Sequence, residues 1–361
     1  MLAGSLMSRN LIENMTTLFA KLVAHAAESG QPVEDRIRYI QSNTGDQERA
    51  TGLKTSKTLF IDSHRIVVEI VDQTDTYYAF TGFRESQYNF PLPARLMKFD
   101  SAFLLPVLCD TPVQPTASPL ETLEILDGPE PDGSYTGHAP LAIASLFPDI
   151  EVWRLEDGCT PGGFNAVCLA VSAQEGASSS RWISERLSKQ LIRVATSLDL
   201  SFPFEELARA TFDYDPRHMY LAIYKCFEAI YAHDVTNRVI DQLSLNTTWE
   251  QLASAFYDAA SWHPREEISL VGLLEYADND DLQAIYEALN PAAGDLPASD
   301  SWANRAGRAI YRTRNRIAHY SSQGEAVHFD DYDWNEVCAL LAELALTVRG
   351  KALNIQHEGV D

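Results

Sequence analysis

The stretch "YRTRNRIAHYSS", Tyr311 to Ser322, closes a longer run in which Arg305, Arg308, Arg312, Arg314 and Arg316 occur with no acidic residue among them. Counted outward at about 100° per residue, Trp302, Ala306, Ala309, Ile310, Thr313 and Ile317 fall on one side. Arg305, Arg308, Arg312, Arg316 and His319 fall on the other. That division predicts an amphipathic helix from Ser301 onward whose apolar side faces the core of a helical bundle. Asn315 is four residues before His319 and therefore its neighbour. Arg314 is five before it, about 140° away on an ideal helix, so the two flank a groove. The result is a basic face that ends in an amide and an imidazole.

The surrounding chain makes this island conspicuous. It has 361 residues, 45% of them hydrophobic and 10% aromatic, with a net charge of -23. Such a length and composition predict two folded domains with real cores. The acidic field argues against a general nucleic-acid coat or a binder of anionic membranes, though it leaves room for a local basic cleft. The five cysteines are scattered, without CxxC or Cys/His zinc spacing, which predicts reduced thiols and no metal centre. The N-terminal residues make a poor signal peptide, and no apolar run reaches the length of a membrane helix. A cytoplasmic protein is expected.

Working back toward the N-terminus, most of the chain from about residue 181 has helical periodicity. "PRHMYLAIYKCFEAIYAH" lines up Met219, Ile223, Phe227 and Ile230 behind a first-turn proline, Pro216. Before that, "EGASSS" (Glu175 to Ser180) reads as a hinge. "EVWRLEDG" and "FNAVCLAVSA" read as two strands joined by a turn around "CTPGG". "KTLFIDSHRIVVEIVD" and "TYYAFTGF" read as a strand pair, since both are rich in β-branched and aromatic residues. Helix is not expected across the proline-dense Pro91 to Pro131. Leu11 to Ala26 repeats apolar residues at helical intervals. The expected fold class is α+β: an N-terminal mixed domain over 1–178, then an all-α bundle over 181–361.

The basic face suits RNA cleavage by the RNA's own 2′-hydroxyl. A histidine near neutral pKa can take or return a proton. Arginine can hold the phosphate bidentately and stabilise the charge of a pentacoordinate phosphorus. An asparagine can orient either group. The plain alternative is a solvated face on a bundle helix, because an Arg and a His at this spacing arise by chance in many chains. Arg312, seven before His319, is a second candidate for the phosphate ligand; the asparagine beside Arg314 favours Arg314.

Through "RNRIAH", Arg314 to His319, the sequence resembles the HEPN superfamily, whose signature is an arginine, often followed by a polar residue, and then a histidine a few positions on. The resemblance covers about residues 181–350, including the aromatic-rich helix "YLAIYKCFEAIY" and a last helix after the motif. It implies a helical bundle that pairs as a homodimer across a composite cleft, and metal-independent endoribonuclease action in toxins and antiphage (abortive-infection) systems, without a cofactor. On that resemblance His319 is the proton-transfer residue, Arg314 the phosphate ligand and Asn315 the orienter. Arg308, Arg312 and Arg316 are candidate substrate contacts, and Glu228 is a possible acid from an earlier helix. The implied partners are RNA, a second copy and an antitoxin or sensor protein, with no membrane. A catalytically silent HEPN-like module that binds a protein or nucleotide is the alternative. The N-terminal domain carries no assignable motif, and a regulatory or sensing role for it rests on analogy.

Overall fold

The computed structural model describes residues 11–42, 44–73, 75–84, 88–97, 100–128, 135–156, 163–179, 182–290, 300–318 and 329–355. The protein is mixed α+β and divides into two compact units, Met1–Phe164 and Asn165–Asp361. The sequence places its division at 178 to 181 instead.

The first unit is built on a five-stranded antiparallel sheet. Its strands are β1 (Lys54–Phe60), β2 (Ile66–Asp72), β3 (Asp75–Thr81), β4 (Ala94–Met97) and β5 (Ile150–Leu155), in the order β1-β2-β3-β5-β4. β2 is almost wholly apolar because it is buried on both faces. Ile66, Val68 and Ile70 pack with Leu18, Phe19 and Leu22 of helix α1 (Leu11–Ala27) in one core. On the other face Phe80 meets Phe83 and Phe90 stacks on Trp153. Glu69, buried in β2, is held by Lys57 Nζ at 3.1 Å and the Ser56 hydroxyl. The remaining helices of this unit are α2 (Thr44–Gly52), α3 (Ser101–Leu108), α4 (Pro119–Asp127) and α5 (Pro140–Ala144).

Three sequence expectations are corrected here. The proline-dense segment forms α3 and α4. Asp100 caps α3, which tolerates Pro106, and Pro119 sits at the first turn of α4 behind the Ser118–Glu121 capping box. The expected strand pair is three strands, since "KTLFIDSHRIVVEIVD" turns back on itself at Asp62 to Arg65. "FNAVCLAVSA" is not a strand but the start of α6 (Phe164–Ser179), which also absorbs most of the expected hinge. A helix buried all round and a buried strand present the same uninterrupted apolar run, and length alone separates them.

The described elements of the second unit are helices: α6 from Asn165 onward, α7 (Glu185–Ala195), α8 (Phe204–Thr211), α9 (Pro216–Glu228), α10 (His233–Leu243), α11 (Trp249–Ala260), α12 (Glu266–Leu274), α13 (Asn279–Leu289), α14 (Trp302–Ala318), a 3-10 turn at Phe329–Asp331 and α15 (Trp334–Ala352). α15 is buried on nearly every side and packs against α7, α9 and α13. Near its end Arg349, 1% exposed, donates to Asp199 Oδ2 at 2.6 Å and to the Cys226 carbonyl at 2.6 Å, and its guanidinium covers the Phe202 ring at 4.5 Å. These contacts of Arg349 fix the segment before α8 and the last turn of α9 to the last helix, and so hold the frame on which α14 is mounted.

Candidate functional site

α14 is seated by small residues. Ala303, Ala306, Gly307, Ala309, Ile310 and Thr313 are buried, so the helix lies close to α12, α13 and α9. A Cβ on Gly307 would stand 2.7 Å from Val271 Cγ2, so only hydrogen fits where α14 meets α12. From α9, the buried Tyr220 hydroxyl donates to the Ile310 carbonyl at 2.8 Å, which fixes α14 along its axis. Burial pushes the Tyr220 phenol pKa well up, so it stays a neutral donor.

Arg314 lies only about 40° around the helix from buried Ile310. It therefore points to the edge of the core, where a charge must be matched. Its Nη2 donates to Glu228 Oε1 at 3.2 Å, and Nη1 donates to Asn315 Oδ1 at 3.0 Å and lies 3.7 Å from Glu266 Oε2. The guanidinium stands 5.6 Å from the Tyr224 ring centroid. Tyr224 in turn accepts from the Tyr231 hydroxyl at 2.7 Å. Burial works against the Arg314 charge, but Glu266 and Glu228 outweigh it and raise the pKa above its ordinary value. Desolvation raises both tyrosine pKa values, so both phenols remain protonated.

The candidate residues are thus only partly gathered. Arg314, Asn315 and Glu228 meet at the last turns of α14 and the end of α9. Arg312 and Arg316 are each about 160° from Arg314 around the helix, and Arg308 about 120°, so the proposed substrate contacts occupy other faces. Arg308 pairs with Asp300 at 3.1 Å and lies 3.8 Å from Glu267. Arg312 is exposed. Arg316 donates to the Tyr332 hydroxyl at 3.3 Å. His319 lies outside the described residues, one position beyond the end of α14. At the start of α9, Arg217 and His218 are engaged by Asp215 and Asp213, each at 2.5 Å.

Tyr224, Tyr231 and Glu266 were not legible as site residues. Glu266 reads from sequence as a first-turn acid, and it is the first residue of α12. Its approach to Arg314 is a product of helix packing. The one available signal was the angular position of Arg314 beside Ile310, which requires a counter-ion without saying from where. Among the described residues no group of three or more His, Cys, Asp or Glu side chains is disposed to hold a metal. Neither protein-family models, nor curated proteins, nor solved structures match this chain.

Proposed function

We propose that the second unit is a HEPN-like bundle acting as a metal-independent endoribonuclease, in a toxin or antiphage effector that the N-terminal domain regulates. The observation that carries this reading is the pinning of Arg314 between Glu228 and Asn315 on the last turns of α14, five residues before His319. A guanidinium oriented by fixed partners loses little entropy when it engages a phosphate. In the reaction His319 takes the proton from the ribose 2′-hydroxyl. The 2′-oxygen bonds to phosphorus, the bond to the 5′-oxygen breaks, and His319 returns the proton to that oxygen as it leaves. Arg314 offsets the extra negative charge on the phosphoryl oxygens. Asn315 keeps Arg314 aligned and Glu228 holds it from α9. Arg308, Arg312 and Arg316, on other faces of the helix, would track the RNA backbone, with a second copy completing the cleft.

The test is incubation of the protein with RNA in EDTA. The expected products carry 2′,3′-cyclic phosphate ends and disappear in His319→Ala; cleavage that survives this substitution removes the assigned role. A second reading is favoured by one feature. Arg314 already faces two carboxylates, Glu228 and Glu266, as a structural arginine in a catalytically silent, protein- or nucleotide-binding bundle would. That reading expects no cleavage by either protein.

A further inference from the structure

A concavity in the helical unit lies between α10 and α12. It is a groove of about 520 Å³, within the range that suits a small ligand. Asp234 lines it and is rigidly held. His233, 7% exposed, places Nδ1 2.9 Å from Asp234 Oδ1, while the Asn237 side-chain nitrogen lies 2.9 Å from His233 Nε2. With that amide donating to Nε2, the ring proton is on Nδ1 and points at the carboxylate. The Tyr276 hydroxyl donates to the same Oδ1 at 3.1 Å. Among the described residues no side chain donates to Oδ2, so a preorganised carboxylate keeps one oxygen open. Asp241 and Glu275 add negative charge to the lining against the single Arg238, and Ile268 and Leu273 supply an apolar wall.

The second observation is Gly272, in the interior of α12 and on the groove lining. A glycine inside a helix is less favourable than an alanine because it has more backbone freedom to lose. Gly307 and Gly176 have packing reasons, since a Cβ would stand 2.7 Å from Val271 and 2.5 Å from Thr211. A Cβ on Gly272 would meet nothing within 4 Å. Nothing inside the fold requires a glycine there, and what its missing side chain leaves free is space in the groove.

We propose that this groove binds a small organic cation, an ammonium or guanidinium on an aliphatic stem. The charged end sits on Asp234 Oδ2, and the stem lies over Gly272 between Ile268 and Leu273. The same chemistry could arrive as a free amine or as an arginine side chain of a protein. The site does not depend on the nuclease reading.

The experiment is calorimetric titration of the full chain with agmatine, with acetyl-Gly-Arg-Gly-amide and with neutral N-butylurea. Saturable agmatine binding is expected, weakened at least tenfold by Asp234→Asn and abolished by Gly272→Phe. The glycine variant leaves the polar network untouched, so it tests the site even if Asp234→Asn loosens α10. Peptide binding as tight as that of agmatine assigns the cation to a protein side chain; agmatine binding alone assigns it to a free amine. The proposal is overturned if neither cation binds saturably, if either variant leaves binding unchanged, or if N-butylurea binds as tightly as agmatine.

Discussion

Arg314 can carry a full charge at the edge of an apolar bundle because Glu228, Glu266 and Asn315 each take part of it. Replacing its forked guanidinium with a single ammonium keeps the charge but loses the two-directional geometry. Arg314→Ala is therefore expected to lower RNA cleavage by about 10²–10³-fold, and Arg314→Lys to remain folded while recovering only part of it. Gel assays on both variants check this, and full activity in Arg314→Ala would remove the residue from the mechanism. Arg349 is a different case, since its role is structural. Breaking its buried pair with Asp199 by Arg349→Ala is expected to cost about 3–5 kcal/mol in urea unfolding. Burial pushes the Asp199 carboxyl up, but hydrogen bonds from Arg349 and Ser201 outweigh it and leave the pKa below the ordinary 3.8. A depressed carboxylate stabilises the fold above its unfolded pKa and is lost as pH falls through the folded one. The wild type should accordingly lose stability from about pH 4 downward more steeply than Asp199→Asn, in urea midpoints measured from pH 5 to 2.

At the scale of elements, two helical glycines give opposite expectations. Gly307→Ala forces Val271 and α12 away from α14, at a cost of about 1–3 kcal/mol against a gain of up to about 1 kcal/mol in helix propensity. Gly272→Ala meets no neighbour and should stabilise by about 0.5–1 kcal/mol. Thermal unfolding of the pair measures the difference, and a stabilised Gly307→Ala would show that the helices are not in close contact. The elements also show where sequence patterns stop being informative. α14 and α9 were legible because each has one apolar face, so its period identifies it. α6 was misread because burial on all sides erases the period. α3 and α4 were missed because prolines read as breaks: Pro119 instead starts α4 behind the Ser118 cap, and Pro106 is carried inside α3, whose start is marked by Asp100.

For the whole molecule, a net charge of -23 means that any RNA must approach against the long-range field and be held by a few local arginines. If about three phosphates are neutralised, log K should fall against log salt with a slope of about -2. Filter binding with His319→Ala, which separates binding from cleavage, measures that slope; a slope near zero would exclude phosphate contacts by the arginines. By itself the sequence determined what is local and periodic: an acidic mixed α+β chain, the helical character of its second half, the basic arc of α14, and the adjacency of Arg314 and Asn315. Only the tertiary structure decided which groups meet across elements. It set Glu228 and Glu266 against Arg314, inserted β5 between β3 and β4, and left space beside Gly272. The reason is physical: helical and strand periods are dictated by backbone geometry within a few residues, whereas counter-ions and cavities depend on packing between segments tens of residues apart, which no local spacing records.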